Sequence, residues 1–165
     1  MIDLEALTDF LLKAKTGTYA ADGAEVEPER PGFRELRYAQ GDWDYRDSYA
    51  GYYCAPGQEV VRFQGKPIWT MSYDGGMSTE FHGNRAFAKE TFTFLKEALK
   101  RVERSHPFRG PKNFKEGDWE YLNDVRGTVE EFRGTEHILY RGKPVFRQHY
   151  FGGMVIHKDD FPSPA

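Results

Sequence analysis

The stretch GDWDYRDSYAG, Gly41 to Gly51, returns as GDWEYLNDVRG, Gly117 to Gly127. A second block, GQEVVRFQGKPIWTMSYDGGM from Gly57 to Met77, lines up with GTEHILYRGKPVFRQHYFGGM from Gly134 to Met154. The offset is 76 residues in the first block and 77 in the second, and 14 of the 32 aligned positions are identical. So long a period reads as a repeated half-domain rather than a solenoid unit.

Working outward, each half opens with a helical pattern. Leu4, Leu7, Phe10, Leu11 and Ala14 recur at three- and four-residue steps, as do Phe92, Leu95, Ala98, Leu99 and Val102. Gly17 closes the first pattern, and Pro107 with Arg109-Gly110-Pro111 closes the second. Three strand-like runs follow in each half. They are Leu36 to Tyr53 with a break near Gly41, Gln58 to Gln64 and Pro67 to Tyr73, then Phe114 to Val125, Thr135 to Arg141 and Pro144 to Phe151. The expected fold is therefore α+β: a duplicated helix-strand-strand-strand unit, its antiparallel sheets curved around or covered by two helices about a pseudo-two-fold. A single domain of residues 1–165 is expected, with repeats at about 3–77 and 86–154 and a C-terminal tail at 158–165.

Composition narrows the function classes. Hydrophobic residues make up 39% and aromatics 16% of 165 residues, too rich for a disordered chain. Cys54 is the one cysteine, no apolar stretch matches a spanning helix, and no secretion signal is evident, so a soluble, cytoplasmic protein is expected. Net charge is −3, with 8 basic and 14 acidic residues up to Gly83 and 15 and 12 after it. Such a balance argues against direct nucleic-acid binding.

Alternation places Trp43, Tyr45 and Tyr49 on one strand face, as it does Trp119, Tyr121 and Val125. On the hairpins Val61, Phe63, Trp69, Met71 and Tyr73 share a side, as do Ile138, Tyr140, Phe146, Gln148 and Tyr150. With an odd-numbered loop, Glu59 falls across from Tyr73 and Glu136 across from Tyr150, each on the apolar face. Two carboxylates converging in an aromatic pocket could form an acid/base pair or a cation site. The plainer alternative is a Glu–Tyr hydrogen bond repeated with the scaffold.

Positions that differ between the halves are further candidates. Arg46, Asp47 and Ser48 stand where the second half has Leu122, Asn123 and Asp124, so Arg46 could clamp an anion that Asp47 orients. His137 and His149 are expected to face each other across the second hairpin, giving a weak metal-site candidate with His157 or a carboxylate as third ligand. Tyr49, Tyr52, Tyr53, Trp69 and Tyr73 could line a cavity or simply fill the core. No nucleophile-elbow, phosphate-loop or dinucleotide motif occurs, and Cys54 has no histidine at a motif spacing, so binding is favoured over catalysis.

Through RPGFRELRYAQGDWDYRDSYAG, GQEVVRFQGKPIWTMSYDGG and RGPKNFKEGDWEYLND, the chain resembles domain of unknown function 5680, a bacterial and archaeal family found alone or behind a Xre-type helix-turn-helix. That resemblance implies a sensing or effector-binding role by association, with a regulator or a second copy as partner, and supplies no catalytic residues or cofactor. The leading expectation is a small-molecule sensor with a pocket at the half-to-half junction, lined by Trp43, Tyr45, Glu59, Trp69 and Tyr73. A structural or protein-interaction module and a hydrolase using Glu59 and Glu136 are the alternatives.

Overall fold

The computed structural model describes residues 2–21, 23 and 25–160. The tail expected from residue 158 forms a 3-10 turn at Lys158–Asp160, and its remainder lies outside the described residues.

Helix α1 spans Leu4–Gly17, and the Asp3 carboxylate accepts from the N–H groups of Glu5 (2.9 Å) and Ala6 (3.3 Å), satisfying donors that a helix start leaves open. Leu7, Phe10, Leu11 and Ala14 form its buried stripe, and Lys15 lies in the same stripe. Helix α2 spans Arg85–Leu99, earlier than the apolar pattern alone suggests, because Asn84 caps the N–H of Phe87 (3.1 Å) and starts it within a polar stretch. No helix among the described residues is long and apolar enough to cross a membrane.

The strands are β1 (Glu25–Val26), β2 (Arg34–Gln40), β3 (Trp43–Tyr49), β4 (Gly57–Phe63), β5 (Lys66–Met77), β6 (Asn113–Glu116), β7 (Trp119–Thr128), β8 (Glu131–Tyr140) and β9 (Lys143–Met154). They make one antiparallel sheet in the order β1-β2-β3-β4-β5-β9-β8-β7-β6. This corrects the expected duplicated helix-strand-strand-strand unit with antiparallel sheets curved around or covered by two helices: among the described residues the body of the fold is a single nine-stranded sheet, and the two helices are additions to it. Two features account for the difference. Gly41-Asp42 and Gly117-Asp118 are two-residue hairpin turns, with Gly41 at φ +59 and Gly117 at φ +57, so each long run is two strands. In addition, β5 and β9 pair along nine residues, from Trp69↔Met154 to Met77↔Phe146, which merges the halves into one ladder.

Register also differs from expectation in a way that moves the candidate partners. The hairpin loops Gln64-Gly65 and Arg141-Gly142 have two residues each, all at positive φ as a type I′ turn requires. Bulges at Val61/Arg62 and Ile138/Leu139 supply the odd residue, so the faces stay as alternation assigns them. The partners slip by two: Tyr73 faces Gly57 and Tyr150 faces Gly134, while Glu59 faces Met71 and Glu136 faces Gln148.

Apolar packing forms two clusters. One joins the α1 stripe to Tyr45, Val61, Trp69, Met71, Phe108 and Phe132; the other joins Phe94, Leu95, Ala98 and Leu99 of α2 to Tyr121, Ile138, Val145 and Phe146. Phe108, in the segment after α2, stacks on Phe132 at 3.6 Å between ring centroids. That segment carries Arg109 and Gly110 into the interior beside it.

Candidate functional site

Five charged side chains are buried near the centre of the sheet, held there by different elements. Lys15 at the end of α1 donates to Glu59 Oε2 on β4 (2.5 Å). Arg109 donates through Nε (3.0 Å) and Nη2 (2.6 Å) to Glu136 Oε1 on β8, whose Oε2 accepts from the Tyr121 hydroxyl (2.6 Å). Asp47 on β3 accepts through Oδ1 from the Tyr73 hydroxyl (2.7 Å). Its second oxygen has no hydrogen-bond partner among the described residues, although Asp47 is only 5% exposed. Two cations thus answer two of three carboxylates, and the third has only a neutral phenol.

The Tyr73–Asp47 contact is a product of glycine. Tyr73 lies across from Gly57, which lies across from Tyr49, so the phenol crosses β4 above a residue with no side chain to reach β3. A Cβ on Gly57 would sit 2.3 Å from the Tyr73 hydroxyl, and one on Gly134 would sit 2.3 Å from that of Tyr150. Gly57→Ala should therefore displace Tyr73 and cost about 1–3 kcal/mol, the range for overpacking a tight site. Chemical denaturation of the variant checks this, and an unchanged midpoint would show that the ring has room to move.

A comparable contact on β7 is made by an amide. Asn123 stands where the first block has Asp47, and its Oδ1 accepts from Tyr150 (2.7 Å) as Asp47 accepts from Tyr73. Its Nδ2 then donates to the Gly110 carbonyl (3.0 Å), which closes the amide onto protein.

Asp47 instead opens on space. A cavity of about 550 Å³, a size typical of small-molecule sites, lies between the sheet and α2. Asp47, Tyr73, Arg109 and Gln148 contribute its polar lining; Tyr19, Tyr49, Tyr52 and Phe92 contribute aromatic walls. Arg34, Lys89, Lys96 and Lys100 bring positive charge to the lining, offset by Glu25, which pairs with Arg34 (2.8 Å), and Glu97, which pairs with Lys100 (2.5 Å). A smaller recess, sharing Tyr19, Asp47 and Arg109 with the cavity, continues toward Lys15 and Glu59.

Electrostatics follow from burial. Loss of water, reinforced by the Glu59 charge and only partly relieved by Tyr73, Lys15 and Arg109, pushes the Asp47 carboxyl up to about 7. Burial lowers the Lys15 ammonium, with Glu59 opposing and Arg109 adding to the shift. Burial also disfavours charge on Arg109, but Glu136 outweighs it and holds the guanidinium well above its ordinary value. The Tyr73 phenol is raised by burial and by the adjacent Asp47.

The structure brings together some of the residues singled out in the sequence and separates others. Asp47 and Tyr73 meet at the cavity, and Glu59 lines the recess beside them. Glu136 and Tyr150 are fully buried nearby, bonded to Arg109 with Tyr121 and to Asn123 respectively. Tyr45 packs with Lys15 (5.9 Å from Nζ to ring centre), whereas Trp43 stacks on Phe10 and Trp69 is interior, donating to the Val129 carbonyl (3.0 Å). Arg46, one residue from Asp47, projects to the other face of β3. There it pairs with Glu35 and with Glu29 (3.2 Å), while Ser48 donates to Glu35 (2.9 Å). His137 faces Arg147 and His149 faces Thr135, whose hydroxyl lies 2.9 Å from His149 Nδ1, so the two histidines are offset rather than opposed. Among the described residues no three His, Cys, Asp or Glu side chains gather in a metal-binding group.

A family model described as Domain of unknown function (DUF5680) matches residues 47–155. The chain belongs to this family. The matched span of the DUF5680 domain begins at Asp47 and includes Glu59, Tyr73, Arg109, Asn123 and Glu136, while α1, with Lys15, lies before it. No curated protein and no solved structure matches the chain.

Proposed function

We propose that this DUF5680 domain binds a small organic molecule in the cavity between α2 and the β3, β5 and β9 face of the sheet. The observation that carries the proposal is Asp47: a buried carboxylate with one oxygen unpartnered, set in the lining of a cavity large enough for a metabolite-sized ligand. That oxygen keeps contact with solvent, since among the described residues the one side-chain atom both desolvated and unpartnered is Arg46 Nε, so it is open to a ligand that enters the cavity. Aromatic walls around a few convergent polar groups are the usual composition of such sites.

The alternatives draw less support. A hydrolase built on Glu59 and Glu136 would need carboxylates free to exchange protons with a substrate, but each is ion-paired, to Lys15 and Arg109. For an interaction module, the large exposed apolar side chains Tyr52, Leu122, Phe151 and Ile156 come from separate segments of the chain.

Thr93, exposed on α2 and part of the cavity lining, offers the test. A thermal-shift screen of small organic compounds should yield stabilisers of the natural chain that fail to stabilise Thr93→Trp, in which the indole blocks the cavity. Stabilisers that act equally on both proteins would place the binding elsewhere.

A further inference from the structure

We propose that the cavity selects an organic cation, taking the protonated amine of a ligand against Asp47 and its apolar body between Tyr49, Tyr52 and Phe92. This rests on the binding proposal above and names its ligand class.

The charge inventory is the first support. Lys15 and Arg109 are each committed to a carboxylate, Glu59 and Glu136, so an ionised Asp47 leaves the buried cluster one negative charge in excess. A single ligand cation on the free oxygen would balance it, with the strength that ion pairs gain away from water. The contrast with Asn123 is the second support. At the corresponding place the chain carries the neutral amide, bonded to the same tyrosine and sealed by Gly110; the carboxylate occurs where the side chain meets open space. Aromatic faces are the third, since they attract cations as well as apolar groups. Lys89 on the lining disfavours a polycation and suits a monocation whose far end is neutral or anionic, Arg34 and Lys100 being answered by Glu25 and Glu97.

Protonation of Asp47 should compete with the ligand. The groups that face it are Lys15 from α1, Tyr19 from the turn after α1, Glu59 from β4, Tyr73 from β5 and Arg109 from the segment after α2, with Tyr45 and Tyr49 on its own strand. Because its carboxyl titrates at about 7, the ionised fraction, and with it affinity for a cation, should fall roughly tenfold from about pH 8 to about pH 6.

The experiment uses three probes of one shape on the full chain: benzylamine, benzyl alcohol and benzoate, followed by amide chemical shifts at about pH 8 and about pH 6. Benzylamine is expected to bind in the millimolar range, as fragments of its size do, and to be at least about tenfold stronger than benzyl alcohol at the higher pH. Asp47→Asn should erase that preference, read as the ratio of the benzylamine and benzyl alcohol affinities within the same variant. Equal binding of benzylamine and benzyl alcohol, or tighter binding of benzoate, overturns the cation proposal and leaves the cavity as a binding site. No shifts at cavity residues with any probe at tens of millimolar would overturn both.

Discussion

Arg109→Met is expected to lower the melting temperature by about 10 °C. Removing one partner of a buried pair typically costs about 3–5 kcal/mol, and in a domain of this size each kcal/mol moves the midpoint by about 2–4 °C. The loss arises from what remains: Glu136 is fully buried, and without the guanidinium its two contacts at 3.0 and 2.6 Å vanish, leaving the Tyr121 hydroxyl as its donor. Changing Glu136 as well should recover a large part of the loss, because Glu136→Gln removes the stranded charge while its carbonyl still accepts from Tyr121. Arg104 is the contrasting case. It also contacts two carboxylates, Glu5 and Asp9, but its side chain is about half exposed, so Arg104→Met should change stability by less than about 1 kcal/mol. Calorimetric scans of the two single variants and the double variant check this order. Arg109→Met within 2 °C or so of the natural chain would mean that water reaches Glu136 when the guanidinium leaves.

How much of this was legible depends on whether the signal was periodic or spatial. Alternation assigned the apolar faces of β3, β4 and β5 correctly, because the bulges restored the parity that the short turns removed. It could not fix the partner across the hairpin, since a shift of two residues keeps every side chain on its face. Gly41-Asp42 lies inside the run Leu36 to Tyr53, where a break near Gly41 is legible but not that it is a hairpin turn creating a further strand. The β5–β9 ladder has no local signature at all: its paired residues are 69 to 85 positions apart in the chain, and only their pairing makes the sheet single.

The site shows the same division. Asp47 was visible because the two halves differ there, and Tyr73 because the hairpin placed it on the inner face. Lys15 was missed although a signal existed: it stands four residues after Leu11 and eight after Leu7, so a lysine interrupts an apolar stripe. Arg109 carries no periodic signal, since it sits between Phe108 and Gly110 in a loop whose burial depends on a tertiary stack with Phe132.

Asp47→Asn should raise stability at about pH 8 and leave it nearly unchanged at about pH 4, the reverse of what removing a carboxylate from an ion pair does. The Asp47 carboxyl has an ordinary value of 3.8 and stands at about 7 in the folded chain. Between these values the folded state holds a proton that the unfolded state has released, so the unfolded state binds fewer protons and stability falls as pH rises. The full shift corresponds to something on the order of 4 kcal/mol, expressed once pH exceeds the folded value and absent below the unfolded one. An amide has no ionised form to desolvate and keeps an oxygen to accept from Tyr73, as Asn123 does from Tyr150. The variant should therefore melt several degrees higher near pH 8, with its advantage shrinking through pH 7 and vanishing as pH approaches 4. Lys15 does not imitate this pattern: its ammonium is lowered by burial, which makes stability rise with pH below its ordinary value of 10.5, the opposite sign. Melting curves of both proteins across that range decide the matter, and an Asp47→Asn protein that is less stable near pH 8 would show that ionised Asp47 is compensated by Lys15 and Arg109 already. A more stable variant would mean that the chain carries, at neutral pH, an electrostatic cost on the buried Asp47 carboxylate beside the cavity, a cost that a bound cation would relieve.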